Sequence, residues 1–135
     1  MRFKLTLLLS ILFVLLGVTN VSAENREVNL YYFHAEGCST CALETKYLEE
    51  LIQKDTSLVL HKYEIAFDQE NQKLSKDIGE LLNQPINSTP TLIIGREVIV
   101  GFKEGSTEKT IEEAIDFVRT NNVRDVVGEM LGIVE

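Results

Sequence analysis

The change of hydrophobic period between residues 27 and 66 constrains this chain most. Glu27 to His34 reads Glu-Val-Asn-Leu-Tyr-Tyr-Phe-His, nearly continuous in apolar and strand-forming residues, which predicts a buried strand. From Cys41 onward the spacing becomes helical. Leu43, Tyr47, Leu48, Leu51 and Ile52 form one stripe, and Glu44, Lys46, Glu49 and Glu50 are expected to face away from it. Leu58 to Ala66 alternates and is β-rich again, predicting a second strand. A helix joining the two strands implies parallel pairing through a right-handed crossover.

The remaining pattern extends that unit. Leu74, Ile78, Leu81 and Leu82 mark a second helix, ended by Asn83 and Pro85. Pro90 to Ile94 and Glu97 to Val100 are short strands around Gly95-Arg96, a tight hairpin turn that adds an antiparallel edge. Ile111, Ala114, Ile115 and Val118 predict a third helix, entered through Ser106 or Thr107, with Glu108 in its first turn. The order is β-α-β-α-β-β-α: an α/β sandwich with a mixed four-stranded sheet. Beyond Asn121-Asn122, the stripe Val123, Val127, Met130 and Val134, supported by Val126 and Leu131, predicts an extra C-terminal helix. Covering the sheet or its neighbours is its expected role, and docking to a partner or membrane is the alternative. Glu108, Glu112, Glu113 and Asp116 read as a solvated helix face.

The 135 residues, 44% of them hydrophobic, suit one domain with a real core. A net charge of −8 argues against a nucleic-acid-binding surface, which needs clustered Lys and Arg. Arg2 and Lys4 precede an apolar run from Leu5 to Val18, and Val21-Ser22-Ala23 offers the small residues of a signal-peptidase site. The expectation is a signal peptide over 1–23 and a domain over 24–135, secreted or periplasmic. Loss of Arg2 and Lys4 would take the charge from −8 to −10. An uncleaved membrane anchor is the alternative; a lipid anchor is not expected, because no cysteine lies at the cleavage region.

Two cysteines are too few to staple a miniature scaffold. In Cys38-Ser39-Thr40-Cys41 both sulfurs can meet on the first turn of a helix, where a disulfide closes with little rearrangement. Cys38 would sit at the helix N-terminus, where unpaired N–H groups and the macrodipole favour its thiolate, the attacking species in disulfide exchange. Cys41, one turn in, would resolve the mixed disulfide. A structural disulfide would close a very small loop and restrain the unfolded chain only weakly. Zinc normally takes four ligands; His34 and His61 could complete a set only from predicted strands, without His-x3-5-His spacing. A redox-active pair is the preferred reading over both, with no metal and no bound cofactor.

Tyr32-Phe33-His34-Ala35-Glu36-Gly37-Cys38-Ser39-Thr40-Cys41, followed by Thr89-Pro90-Thr91-Leu92-Ile93-Ile94-Gly95, resembles the thioredoxin superfamily, and more closely its secreted glutaredoxin-like domains. The resemblance implies a thioredoxin-like sandwich, a cis bond before Pro90, and a Thr89 backbone that pairs with a substrate strand. Departures stand beside it. Gly37 replaces the usual Trp, Ser39-Thr40 replaces Gly-Pro, and Tyr32 occupies the place of the buried acid that relays a proton to the second cysteine. Lys62, at the family's strand lysine, and Glu64 are candidates to assist proton transfer at Cys41; an exposed strand-face charge is the commoner role. Protonated His34 would stabilise the Cys38 thiolate, although packing at a strand end is the commoner role for such a residue.

The stretch from Cys41 to Pro90 has room for only one strand and one helix, so the helical insertion of the disulfide-oxidant branch is missing. This favours a reductase or electron relay over an oxidase or isomerase. Protein thiols and disulfides are the expected partners, with a membrane electron donor as a further one. A non-catalytic thioredoxin-like module binding an extended chain at Thr89 is the alternative of a different class. Asn87-Ser88-Thr89 is a formal glycosylation sequon, expected to be unused because a glycan there would crowd the substrate strand.

Overall fold

The computed structural model describes residues 26–135, and the expected leader lies outside them. Strand β1 (Val28–His34) is followed by α1 (Ser39–Lys54), β2 (Leu58–Glu64), α2 (Gln69–Leu82), β3 (Thr91–Ile94), β4 (Glu97–Val100), α3 (Thr107–Asn121) and α4 (Val126–Leu131). The sheet order is β2-β1-β3-β4. β1 pairs parallel with β2 and antiparallel with β3, and β3 closes the hairpin with β4. The mixed four-stranded sheet, the element order and the extra C-terminal helix agree with the sequence pattern.

β1 lies inside the sheet and is covered on both faces, which is why its apolar run is continuous. Leu30 and Tyr32 point to one core with Leu48 of α1 and Ile111 and Ile115 of α3. Tyr31 and Phe33 point to the other, with Ile78 and Leu82 of α2 and Val127 of α4. Alternate side chains of a strand face opposite ways, so one segment contributes to both cores. Each such fully buried aliphatic or aromatic side chain contributes about 1.5–3 kcal/mol.

Boundaries differ from expectation where local hydrogen bonds override hydrophobicity. β2 stops at Glu64 because that carboxylate accepts the backbone N–H groups of Ala66, Phe67 and Asp68, turning the chain. α2 starts ahead of its apolar stripe, with the Asp68 carboxylate capping Asn71 N–H at 3.0 Å. α4 starts at Val126 and leaves Val123 in the preceding loop, because Asp125 caps Gly128 N–H at 2.8 Å.

The other Asp125 oxygen accepts from the Tyr31 hydroxyl at 2.7 Å and from Asn29 Nδ2 at 3.0 Å, and Asn29 Oδ1 meets His61 Nε2 at 2.8 Å. Burial and then the Asp125 carboxylate push the Tyr31 phenol far above its usual range. Any side chain at Gly128 would bring a Cβ to 2.6 Å from the Tyr31 oxygen, so glycine is required there. These bonds seat α4 on the sheet. α3 is tied to the loop before β2 by buried Arg119, whose Nη2 meets Asp55 Oδ2 at 2.7 Å and Ser57 Oγ at 2.5 Å. Among the described residues no helix is long and apolar enough to cross a membrane.

Candidate active site

β1 delivers the chain to the turn Ala35–Gly37, where Gly37 has φ +76°, a conformation that favours glycine. Cys38 follows as the N-cap of α1, with extended backbone angles (φ −81°, ψ 109°). Its sulfur accepts the Cys41 N–H at 3.1 Å, in the place a capping Ser or Asp oxygen usually takes. A thiolate there is stabilised by a direct N–H donor and by the positive end of the helix. Cys38 and Cys41 are joined in a disulfide, with Cα atoms 5.2 Å apart. Cys38 is half-buried, whereas Cys41 is 3% exposed, so only one sulfur of the pair is presented to a large partner. Beside them opens a cleft of about 380 Å³, lined in part by His34, Gly37, Thr45 and Lys46. A second cavity of about 390 Å³, lined in part by Arg26, Asn29 and Asp125, lies at the other end of β1 and is remote from the sulfurs.

The Thr89–Pro90 peptide bond is cis. Thr91 pairs with Phe33, which puts Pro90 at the same end of the sheet as Cys38. Pro90 is buried, and its carbonyl accepts the Gly101 N–H at 2.8 Å. Among the described residues no hydrogen bond engages the Thr89 backbone.

The charged candidates occupy the β2 side of this end. His34 stacks on Tyr32 with ring centroids 5.5 Å apart. Desolvation, then the Lys62 charge, lower its pKa from the ordinary imidazole value, which favours the neutral ring at pH 7. Lys62 pairs with Glu49 at 2.9 Å on the exposed helix–strand surface. The Glu64 pKa is lowered by the backbone N–H groups it accepts, that of Phe67 first. Besides its own turn it takes the Glu36 N–H at 3.3 Å, linking that turn to the one before Cys38. Among the described residues no group of three or more His, Cys, Asp or Glu side chains is arranged to hold a metal ion.

One expectation is corrected. Glu44 does not face solvent: it is 1% exposed, while Leu43, assigned to the apolar stripe, is 45% exposed. The buried face of α1 runs through Cys41, Glu44 and Leu48, positions three and four apart. Both Glu44 carboxyl oxygens are buried without a hydrogen-bond partner. Desolvation pushes its pKa up to about 8, so the carboxyl is largely protonated at pH 7. Glu44 lies one turn beyond Cys41 on the same buried face of α1. On the strand packed against that face, the Tyr32 hydroxyl donates to the Cys41 carbonyl at 2.8 Å and accepts from Thr45 Oγ1 at 3.3 Å. Burial pushes the Tyr32 phenol up to about 12, against the Thr45 hydrogen bond, which pulls it down. A strand acid is absent at position 32, and a helix acid is buried near the same cysteine. The spacing Cys41–Glu44–Leu48 was the available signal; the acidic residue type concealed it.

No protein-family model and no curated protein matches this sequence. Solved structures do. An Agrobacterium tumefaciens protein determined by a structural genomics consortium is 19% identical, with a TM-score of 0.60 over 72% of this chain and 47% of its own length. The chain therefore spans about half of that protein. The short form of spinach chloroplast thioredoxin f is 19% identical, with a TM-score of 0.51 over 73% of this chain and 86% of that one. The fold is thioredoxin-like.

Proposed function

We propose that this chain is an extracytoplasmic thiol–disulfide oxidoreductase, acting on protein thiols and disulfides in the reducing or electron-relay direction. The observation that carries this reading is the asymmetry of one disulfide at a helix start: Cys38 is half-exposed and capped by an N–H group, and Cys41 is buried. In the reduced protein the Cys38 thiolate attacks a substrate disulfide, one substrate sulfur leaves as thiolate, and a mixed disulfide forms. Cys41 then loses its proton and attacks the Cys38 sulfur, expelling the second substrate thiolate and regenerating the disulfide. Two electrons pass to the substrate.

Glu44 is the group we assign to take up the Cys41 proton: its ionised form, the minority at pH 7, accepts the proton as Cys41 attacks. A carboxyl with a pKa of about 8 is close to a thiol in proton affinity, which suits exchange between them near neutral pH. Lys62 and Glu64 are engaged elsewhere, which leaves Glu44 as the acid of the site. The Thr89 backbone is available to pair with an extended substrate beside Pro90. The apolar run before Ala23 supports export, with a membrane electron donor among the partners; α1, β2 and α2 alone separate Cys41 from Pro90, which supports the reducing direction.

Insulin reduction by residues 24–135 tests the reading, with Cys38→Ala and Cys41→Ala as companions. The wild type is expected to turn over, Cys38→Ala to form no mixed disulfide, and Cys41→Ala to accumulate one. Equal inertness of all three would instead leave a thioredoxin-like binding module.

A further inference from the structure

The active-site end of the sheet carries two large apolar side chains that the fold does not use. Phe67, in the turn after β2, is 75% exposed, and Val100, the last residue of β4, is 59% exposed. Phe67 is not on a loose loop. The N–H groups of Ala66, Phe67 and Asp68 all go to the Glu64 carboxylate, the Ala66 carbonyl accepts from Gln72 Nε2 at 3.1 Å, and Ile65 N–H reaches the His34 carbonyl at 2.9 Å. Through Glu36 N–H the same carboxylate fixes this turn to the one that delivers Cys38. An aromatic ring is thus held in solvent on a pre-ordered backbone, a placement that lowers the entropic cost of binding and adds nothing to the core.

The strand order sets the spacing. Across the rim the sequence of features is the β2 turn with Phe67, β1 leading to Cys38, β3 starting after Pro90, and β4 ending at Val100. Three interstrand steps of about 4.8 Å span about 14 Å, the reach of roughly four extended residues. A chain laid across the rim with its sulfur at Cys38 passes the β2 turn on one side and the end of β4 on the other. Charge selects among such chains. Glu36, Glu64 and Asp68 surround the Phe67 turn; the neighbouring cations are Lys62, which is paired with Glu49, and Lys46, which lines the cleft beside the cysteines.

We propose that this rim docks an extended, cationic, cysteine-bearing segment of another protein, and that Phe67 selects the residue flanking the sulfur on the β2 side. The proposal rests on the thiol–disulfide reading and names its substrate class: apolar or aliphatic-stemmed basic residues next to the reacting cysteine, with acidic residues disfavoured. An arginine or lysine would lay its stem, and its charge, on the ring face while remaining near the carboxylates.

The test measures second-order rates of exchange between reduced residues 24–135 and three disulfides: a peptide with Arg and Leu flanking cysteine, the same peptide with Glu in place of Arg, and hydroxyethyl disulfide. For the wild type the Arg peptide is expected to react about tenfold faster than the Glu peptide, with a ratio that shrinks as salt is raised. Phe67→Ala is expected to lower the rate ratio of Arg peptide to hydroxyethyl disulfide about fivefold. Phe67→Tyr should restore it, and Phe117→Ala, which removes another exposed ring from α3, should leave it at the wild-type value. An unchanged ratio in Phe67→Ala, or equal rates for the two peptides, overturns the proposal while the exchange activity stands. A wild type that reacts with none of the three disulfides overturns the oxidoreductase reading, and this inference with it.

Discussion

Replacing Glu44 by Gln removes a buried charge site and keeps its shape, so the effect on stability can be worked from its environment. An unfolded-chain glutamate titrates near 4.5, whereas the folded one is pushed up to about 8 by desolvation. The folded state therefore binds the proton more tightly. The stability this proton contributes is fully present below pH 4.5 and is lost progressively as pH rises toward 8, where the folded protein must either hold a proton or bury a charge. At ~1.4 kcal/mol per pH unit between the two values, the complete loss is about 5 kcal/mol. Most of it, about 4 kcal/mol, falls between pH 5 and pH 9. The amide of a glutamine is equally unpartnered at every pH and does not titrate. Urea unfolding of the oxidised protein at pH 5, 7 and 9 should thus show a stability difference between variant and wild type that grows steadily in favour of Glu44→Gln. Titrations shared by both proteins cancel in that difference. Parallel stability–pH curves would refute the reasoning, because they would mean that the carboxyl is hydrated or partnered. The same variant should slow resolution of the mixed disulfide roughly a hundredfold, the usual contribution of a positioned acid or base.

Other expectations follow from the same geometry. Arg119→Met should cost about 2–3 kcal/mol at pH 7, since it leaves Asp55 and Ser57 without their buried guanidinium. That deficit should shrink in acid, because the Ser57 and Arg119 hydrogen bonds hold the Asp55 pKa down, and the stability they supply is lost as pH falls through its lowered value; a cost that does not vary between pH 7 and pH 3 would contradict it. Asp125→Ala should destabilise by about 2 kcal/mol, as it uncaps α4 and strands the Tyr31 hydroxyl and the Asn29 amide. Hydrogen exchange should show α4 losing protection before the sheet in that variant, and unchanged α4 protection would count against the staple. His34→Phe, which keeps the stack on Tyr32, should leave the shape of the exchange-rate profile unaltered above pH 7, because desolvation and the Lys62 charge already disfavour the charged ring in the wild type. A displaced inflection in stopped-flow thiol alkylation would show that the ring is charged.

What was legible in the sequence was whatever local periodicity encodes. β1 was readable because a strand covered on both faces has no polar side, and the β3–β4 hairpin because Gly95 adopts φ +63° at a two-residue turn. Cys38 and Cys41 were readable because a helix start dictates their spacing. Glu44 departs from the pattern for a physical reason: an acidic residue at a core-facing position is costly, so hydrophobicity points to Leu43, which the structure leaves 45% exposed. Arg119 and Asp125 carried no signal, since their partners lie far away in the chain: Asp55 and Ser57 for one, Asn29 and Tyr31 for the other. The roles weighed for Lys62 and Glu64 turned on contacts that periodicity does not report, an ion pair with Glu49 for one and a set of backbone N–H groups for the other.

The central claim is that the Cys38–Cys41 disulfide cycles. Equilibration of residues 24–135 across a series of glutathione redox buffers, quenched with acid and read by mass after alkylation, tests it most directly. A cycling pair gives one two-electron transition whose midpoint a glutathione couple can reach, at ~−270 mV if the protein reduces as thioredoxin does and nearer ~−120 mV if it oxidises. A disulfide that stays closed in every buffer, as structural disulfides with potentials below about −300 mV do, would contradict the account.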